Sequence, residues 1–387
     1  MARRPSPRRE RVVTPSAHLR VPDAELEDLQ RRLRATRWSE PWALPGWDAG
    51  TPQGELRRLV ALWASDYDWR HHERALEALP SRAVDIDGTP VHYLHFAAEV
   101  PGALPLVLTH GWPSSVLELT ALARRLATPS RYGGRAEDAF EIVVPSLPGF
   151  GWSPARPRVA AGTPTHELWH RLMYDELGHD RYGAHGGDLG AGVTSNLGGA
   201  HPEAVVGIHL LAVREPLEVD PETLTAEERT FRESVAAWSA GEGGYLHQQA
   251  TRPVTLSYGL SDSPVGLLAW ILEKYRAWTD GEGLPASLSD DFVLTQASLY
   301  WFTNTIGTSL RPYYEAAFNR SFAAPRVRVP TAVALFPGDL VQPPRSWAER
   351  SYEVARYTRM PRGGHFAAIE EPELLAADIT AFFGPLR

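Results

Sequence analysis

The chain has 387 residues, no cysteine and a formal net charge of −8 at pH 7. Hydrophobic residues make up 43% of it, which provides for a sizeable core and excludes an intrinsically disordered chain. The lack of cysteine excludes disulfides, thiolate metal sites and a cysteine nucleophile. The negative charge gives no attraction to nucleic acid or to an anionic membrane surface, so the sequence predicts a small-molecule ligand and no nucleic-acid partner.

No stretch of the sequence approaches the about 20 consecutive apolar residues that a membrane-spanning helix needs. Residues 1–11 are basic and rich in proline, and no apolar run follows them as it would in a secretory signal. We therefore expect a cytoplasmic protein that has no membrane partner and begins with a loosely held tail.

Residues 1–80 are predicted to form a helical extension that packs on the core of the protein. Leu26, Leu29 and Leu33 fall on one face of a helix, and a second amphipathic run covers residues 56–69. Proline, glycine and tryptophan residues between the two runs indicate a loop.

From residue 81, strand-like runs alternate with amphipathic helical segments near 114–127 and 164–177. This alternation predicts a mostly parallel sheet with helices on both faces, which is the α/β class. Residues 81–212 would form the first part of this core and residues 326–387 the second. The strand-like runs are 84–86, 91–95, 104–109, 142–145, 182–185, 205–209, 332–336 and 357–360.

The alternation fails between residues 213 and 325, where charged and aromatic helical segments dominate. An insertion between strands of an open sheet lies over their carboxyl ends, where such folds bind ligands, so we predict a helical lid. The lid contains Lys274, the one lysine of the sequence. We expect Lys274 on an exposed helical turn and do not expect it to form a Schiff base.

The strongest chemical motif is Gly186-x-Asp188-x-Gly190, which follows a strand-like run and precedes a segment rich in glycine and alanine. It has the spacing of the nucleophile elbow of α/β-hydrolases, with aspartate in place of the usual serine. An aspartate is ordinarily ionised at pH 7, so it can attack a saturated carbon without a base and form an ester. The alternative is a glycine-rich turn whose aspartate only caps the next helix.

Two further motifs follow the last two strand-like runs. Asp339 comes directly after the first of these runs, and His365 stands in the sequence Arg-Gly-Gly-His-Phe after the second. The chain order of nucleophile, acid and histidine is that of the α/β-hydrolases. In this arrangement Asp339 would orient the imidazole of His365, which would take a proton from water.

The sequence His110-Gly-Trp112-Pro follows the buried-type run 104–109. In α/β-hydrolases this loop supplies one backbone N–H of the oxyanion hole, and the residue after the nucleophile supplies the other. These residues would be Trp112 and Leu189; a simple turn that ends the strand is the alternative. We expect neither a metal nor an organic cofactor, because the sequence has no zinc-site spacing and no glycine-rich phosphate loop.

Taken together, these motifs resemble those of the microsomal-type epoxide hydrolases, over roughly residues 16–386. The stretches Tyr67–Arg70 and Ser261–Gly266 resemble the same family. The resemblance implies the α/β-hydrolase fold, Asp188 as nucleophile, His365 as base and Asp339 as its acid partner. The implied reaction converts a small-molecule epoxide to a vicinal diol, and similar proteins lead us to expect a homodimer.

The resemblance also implies two lid tyrosines that donate to the epoxide oxygen. Tyr245 matches the first and Tyr313 the second, while the adjacent Tyr314 remains an alternative donor and a candidate pocket residue. His110 and Trp112 are expected to line the same substrate pocket. A phenol stays protonated at pH 7 and can donate to an oxygen as it gains negative charge.

Leu189 stands where the family commonly has tryptophan, which implies a smaller and aliphatic pocket wall. The many tryptophans of the chain lead us to expect a bulky or aromatic natural-product epoxide. A haloalkane dehalogenase is one alternative, because it shares the aspartate nucleophile, but it needs N–H donors to a halide in place of paired phenols. A non-catalytic ligand receptor on the hydrolase scaffold is another, against which the combination of nucleophile, acid and base argues.

Overall fold

The computed structural model describes residues 20–42, 44, 46–156, 162–216, 218–281, 286–318 and 326–387. The loosely held tail predicted for residues 1–11 lies outside these residues. Within them one sheet is formed by eight strands: β1 Ser81–Ile86, β2 Thr89–Phe96, β3 Pro105–Thr109, β4 Glu141–Pro145, β5 Tyr182–Gly186, β6 Val205–Leu210, β7 Val327–Leu335 and β8 Tyr352–Arg359.

The strands lie in the order β1-β2-β4-β3-β5-β6-β7-β8. The pairs β1–β2 and β2–β4 are antiparallel, and every pair from β4 to β8 is parallel. All five residues of β3 are buried, as expected for a strand that is covered on both faces. The predicted α/β class with a mostly parallel sheet is therefore confirmed.

Three helices precede the sheet, helices separate successive strands from β3 to β8, and seven of the described helices lie between β6 and β7. In chain order the helices are α1 Asp23–Arg34, α2 Gln53–Ser65, α3 Trp69–Glu77, α4 Thr120–Ala127, α5 Thr165–Arg171, α6 Asp188–Ala200, α7 Ala226–Glu242, α8 Gly244–Thr251, α9 Pro253–Asp262, α10 Pro264–Trp278, α11 Asp290–Thr303, α12 Ile306–Ser309, α13 Arg311–Phe318, α14 Arg345–Glu349, α15 Ala367–Glu370 and α16 Pro372–Phe383. No helix of the described ranges has both the length and the apolar run that a bilayer crossing requires.

Two hydrophobic clusters cover the two faces of the sheet. Alternate residues of β3 point to opposite faces, so Leu106 and Leu108 pack with α4 and α16 in one cluster, whereas Val107 packs in the other with α5 and α6. The second cluster also contains apolar side chains of α1, α2, α10 and α11. The helices α7 to α13 lie between β6 and β7 in the chain, where the insertion was predicted.

The N-terminal helices were predicted to pack on the α/β core. Their apolar side chains belong to the cluster that contains Val107 of β3, and hydrogen bonds also connect this part of the chain to the inserted helices. The indole N–H of Trp63 donates to the hydroxyl of Ser298 at 2.9 Å, and the hydroxyls of Tyr67 and Thr295 lie 3.0 Å apart. All four residues are buried. The amphipathic pattern of α2 correctly indicated a buried face, but the pattern alone does not say which surface covers it.

Replacing Trp63 with phenylalanine removes the hydrogen bond and leaves the buried Ser298 hydroxyl without its donor. We expect Trp63→Phe to lower the free energy of unfolding by about 1–2 kcal/mol in urea denaturation. Trp42 is 77% exposed and provides the control, because Trp42→Phe should change stability by less than about 0.5 kcal/mol. Equal effects of the two substitutions would contradict the packing described above.

Candidate active site

Asp188 lies at the sharp turn between β5 and α6 and has a φ of 48°. This left-handed backbone is uncommon for residues other than glycine. A Cβ at Gly190 would lie 2.1 Å from the carbonyl oxygen of Thr109, and a Cβ at Gly186 would lie 2.3 Å from that of Gly190. The turn therefore requires glycine at both positions. Gly187 is the N-cap residue of α6, and the Asp188 carboxylate accepts from the backbone N–H of Trp112 on another loop, which argues against the helix-cap alternative.

The carboxylate of Asp188 is surrounded by groups from loops after other strands. Its Oδ1 accepts a hydrogen bond from the backbone N–H of Trp112 at 2.9 Å, and its Oδ2 lies 3.6 Å from Nε2 of His365. Nδ1 of His365 lies 2.7 Å from Oδ1 of Asp339, which also accepts from the backbone N–H of Leu340 at 2.7 Å. The structure thus brings together the three residues that the sequence motifs had singled out.

His365 is almost completely enclosed. Burial alone would lower its pKa, but the charge of Asp339, the hydrogen bond to Asp339 and the nearby carboxylate of Asp188 raise the pKa of His365 well above its ordinary value. The imidazole is therefore held as a cation between two carboxylates at neutral pH. Its backbone N–H donates to the carbonyl of Trp278 at 2.8 Å, which fixes the loop that positions the ring.

Two lid tyrosines complete an aromatic group above the carboxylate. The ring of Tyr245 stacks on that of Trp112 at 5.6 Å with an interplanar angle of 5°, and the ring of Tyr313 meets Trp112 edge-on at 5.9 Å. The centroids of the two phenol rings lie 6.2 Å apart. Burial, together with the charge of Asp188, raises the pKa of both tyrosines, so both phenols remain protonated. The Tyr313 hydroxyl is buried and has no hydrogen-bond partner within the described residues.

Of the residues expected in the substrate pocket, Tyr314 borders neither of the two cavities at Asp188, and His110 borders only the smaller one. Tyr314 follows Tyr313 on α13 and is turned away by the helical rotation of about 100° per residue, so its ring packs on Phe318 at 4.7 Å. His110 is buried beneath the site: its Nδ1 lies 3.0 Å from the carbonyl of Gly111, and its Nε2 accepts from the N–H of Leu147 at 3.1 Å. Burial lowers the pKa of His110 to about 4, so its ring is a neutral support of the loop.

Two cavities meet at Asp188. The larger has a volume of ≈ 310 Å³ and a mostly apolar lining to which Leu147, Leu189 and Val193 contribute. The smaller, of ≈ 10 Å³, has room for about one water molecule and is bordered by Asp188, His365 and Glu118. The predicted pocket residue Trp112 borders the smaller cavity.

Glu118 is a residue of the site that sequence reasoning missed. Its side chain is buried, and burial raises the pKa of this carboxyl to about 7. One feature of the sequence could have indicated it: an acidic residue stands between Leu117 and Leu119, in an apolar segment shortly after the Trp112 loop. A carboxylate in such a position is costly to bury, and burial of this kind is common at functional sites.

The prediction that Lys274 lies on an exposed helical turn was wrong. Its side chain is buried, with only 5% of the residue exposed, and its ammonium lies 4.6 Å from the centroid of the Tyr245 ring. The sequence Glu-Lys-Tyr-Arg has the composition of an exposed turn. However, its ammonium lies over the rings of Tyr245 on α8 and Trp278 on α10, and the contact with another helix cannot be seen in the local sequence.

The parallel sheet, the turn with Asp188 at the position of the nucleophile elbow and the histidine–aspartate pair beside it define an α/β-fold hydrolase. Residues 14–119 match the family model described as "Epoxide hydrolase N terminus", and residues 105–242 match "alpha/beta hydrolase fold". The first match is specific to epoxide hydrolases and covers the N-terminal helices and the first three strands, whereas the second is general to the fold and begins at β3.

Relatives over the whole length give the same result. A protein of Stigmatella aurantiaca assigned to the epoxide hydrolases is 41% identical over 95% of this chain and 84% of its own. Epoxide hydrolase 1 of Oryctolagus cuniculus is 34% identical over 94% of this chain and 87% of its own. The solved Aspergillus niger epoxide hydrolase superposes with a TM-score of 0.83 at 30% identity, with 97% of each chain covered. The chain belongs to the epoxide hydrolase family.

The charge of Asp188 contributes to the raised pKa of His365, so Asp188→Asn should lower that pKa towards its ordinary value of about 6.5. Because the folded-state pKa is raised, this ion pair stabilises the protein at low and neutral pH, and the stabilisation is lost as pH rises through the pKa. A histidine NMR titration measures the change, with the surface variant Asp220→Asn as control. An unchanged His365 titration in Asp188→Asn would show that the two groups do not interact.

Proposed function

We propose that this protein hydrolyses an epoxide to a vicinal diol through an ester on Asp188. The observation that supports this most directly is the placement of the Asp188 carboxylate. One oxygen is held by the Trp112 N–H, the other faces His365, and two protonated phenols lie on the lid side. This arrangement provides a nucleophile, a proton donor and a base for the two halves of one reaction.

In the first half, Oδ2 of Asp188 attacks a ring carbon of the epoxide, and the carbon–oxygen bond of the ring breaks. Oδ1 is not the attacking atom because the Trp112 N–H holds it. Tyr245 and Tyr313 donate hydrogen bonds to the ring oxygen, and one of them transfers its proton as that oxygen gains charge. Without this help the leaving alkoxide would be poor, and general acid assistance of this kind is typically worth about 10²–10⁴-fold in rate.

The ester prepares the second half by removing a charge. Once Asp188 is esterified it is no longer an anion, so the pKa of His365 loses one of the causes that raise it, and the proton of His365 can leave. The neutral imidazole is then a base. Asp339 keeps Nδ1 protonated and Nε2 directed towards the small cavity, where we place the water that reacts.

Hydrolysis follows from this placement. His365 takes a proton from the water, whose oxygen attacks the ester carbon, and the oxyanion forms at Oδ1. The Trp112 N–H already donates to this atom, and the Leu189 N–H is the second donor that we propose. The acyl–oxygen bond breaks, the diol leaves with the proton that His365 took from water, and the proton lost by the restored carboxyl returns to the tyrosine. His365 then regains from solvent the proton that it released to solvent after esterification. In sum, one water is consumed for each epoxide.

The apolar wall of the larger cavity favours a neutral aliphatic or aromatic epoxide, and Leu189 leaves more room beside the nucleophile than a tryptophan would. A bulky natural-product epoxide, a cytoplasmic location and a homodimer stay predictions. The division of the chain into an N-terminal extension, a two-part core and a lid is also part of this proposal.

A single turnover in ¹⁸O-labelled water tests the ester directly. With excess enzyme and styrene oxide, we expect label in the Asp188 carboxylate and unlabelled oxygen in the first diol, measured by mass spectrometry of the peptide and the product. His365→Gln should accumulate the ester, because no base remains to activate water. The control Asp188→Asn should form no ester.

The opposite labelling would overturn the proposal. Solvent oxygen in the first diol, with Asp188 unlabelled, means direct attack by water on the epoxide. Release of bromide from 1-bromohexane at a rate above that of epoxide opening would favour the dehalogenase alternative. Stoichiometric binding of epoxides with no turnover of any would favour the receptor.

The two lid phenols should act on ester formation and not on its hydrolysis. We expect Tyr245→Phe and Tyr313→Phe each to slow ester formation by about 10–100-fold, and the double variant by about 10²–10⁴-fold. Tyr314→Phe is the matched control, because this phenol faces away from the site. Stopped-flow tryptophan fluorescence in single turnovers separates the two steps. If Tyr314→Phe slowed ester formation as much as Tyr313→Phe does, the assignment of Tyr313 as the second proton donor would be wrong.

A further inference from the structure

Lys274 is the one lysine among 387 residues, and its side chain is buried within the lid. Its Nζ lies 4.6 Å from the centroid of the Tyr245 ring, 5.7 Å from that of Trp278 and 2.5 Å from Oε2 of Glu273. The mechanism proposed above does not use this cation. A buried ammonium is unfavourable unless its surroundings compensate the lost hydration, and these three groups provide that compensation.

The placement has a consequence for the phenol. A cation over the face of an aromatic ring is attracted to its electron density, and the attraction grows as the ring becomes more negative. Tyr245 becomes more negative when its O–H transfers charge to the epoxide oxygen. The carboxylates of Asp188, Glu273 and Asp339 oppose this change, because each of them raises the pKa of Tyr245.

We propose that Lys274 is a positioning residue for Tyr245, whose charge makes this phenol a stronger proton donor during ring opening. The inference rests on the proposed function, since it assigns Lys274 to the first half-reaction only. The ammonium neither contacts the substrate nor exchanges a proton with it. It lies over the ring of Tyr245 and favours the charge distribution that the phenol adopts in the transition state.

A merely structural role would have a different signature. If Lys274 only filled space and paired with Glu273, its loss would loosen the lid and slow both half-reactions together. An electrostatic role predicts a loss confined to ester formation. It also predicts that a more acidic phenol at position 245 compensates for the missing cation.

The test uses Lys274→Met, which keeps an unbranched side chain only one atom shorter and removes its charge. We expect ester formation from styrene oxide to slow by about 10-fold, with the rate of ester hydrolysis unchanged. Arg276→Met is the matched control, because Arg276 is a cation on the same helix whose side chain donates to the Gly281 carbonyl. It should leave both rates unchanged.

Replacement of Tyr245 by 3,5-difluorotyrosine gives the second readout. Its phenol is intrinsically more acidic, so ester formation in the Lys274→Met protein should recover most of the lost rate. Equal loss in both half-reactions, or no recovery with the fluorinated residue, would overturn the proposal in favour of a structural role. An unchanged rate of ester formation in Lys274→Met would overturn it as well.

Glu273→Gln keeps the proposal testable if Lys274→Met does not fold. It retains the ammonium and removes a carboxylate that opposes charge on Tyr245, so ester formation should become about 2- to 3-fold faster. An equal or slower rate counts against the proposal. Failure of the wild-type protein to form any ester would instead refute the proposed function, so the two failures are distinguishable.

Discussion

The close contact between the turn at Asp188 and the end of β3 is the constraint on which the whole site depends. Gly190 approaches the Thr109 carbonyl so closely that no Cβ fits between them. This approach places the Asp188 carboxylate against the Trp112 N–H, at the edge where the parallel strands end. The same edge receives Asp339 after β7 and His365 after β8. A side chain at Gly190 would push the turn away from the end of β3, and the three groups would no longer meet.

Charge in the site follows from that enclosure. Two carboxylates and one imidazolium lie in contact, with little water to separate them, so the charge state of each depends on the others. Glu118 adds a carboxyl that burial brings close to half-ionised at neutral pH. An ester on Asp188 would change this balance by one charge without any movement of the backbone. In the proposed reaction, one covalent step would therefore alter the acidity of the next base.

The sequence predicted the features that depend on chain order and local pattern. The strands, the turn at Asp188 and the loops with Asp339 and His365 have distinctive spacings, and parallel strands bring their ends to one edge. The sequence did not show which side of a helix faces the site or which element covers that side. Tyr313 and Tyr314 differ by one rotational step on α13, and a run of charged letters does not show that Lys274 is buried. Glu118 was missed because an acidic residue has no spacing that marks it as enclosed.

Hydrogen bonds join α2 and the loop after it to α11, one of the inserted helices. Trp63 and Tyr67 hold the lid from its outer side, whereas Tyr245 and Tyr313 contact Trp112 on its inner side. Asp188, Asp339 and His365 follow strands of the sheet, whereas Tyr245 and Tyr313 belong to the inserted helices, so the two sets of groups depend on different parts of the fold. In the proposed reaction, the distance between nucleophile and proton donors would then depend on how the inserted helices are held against the sheet.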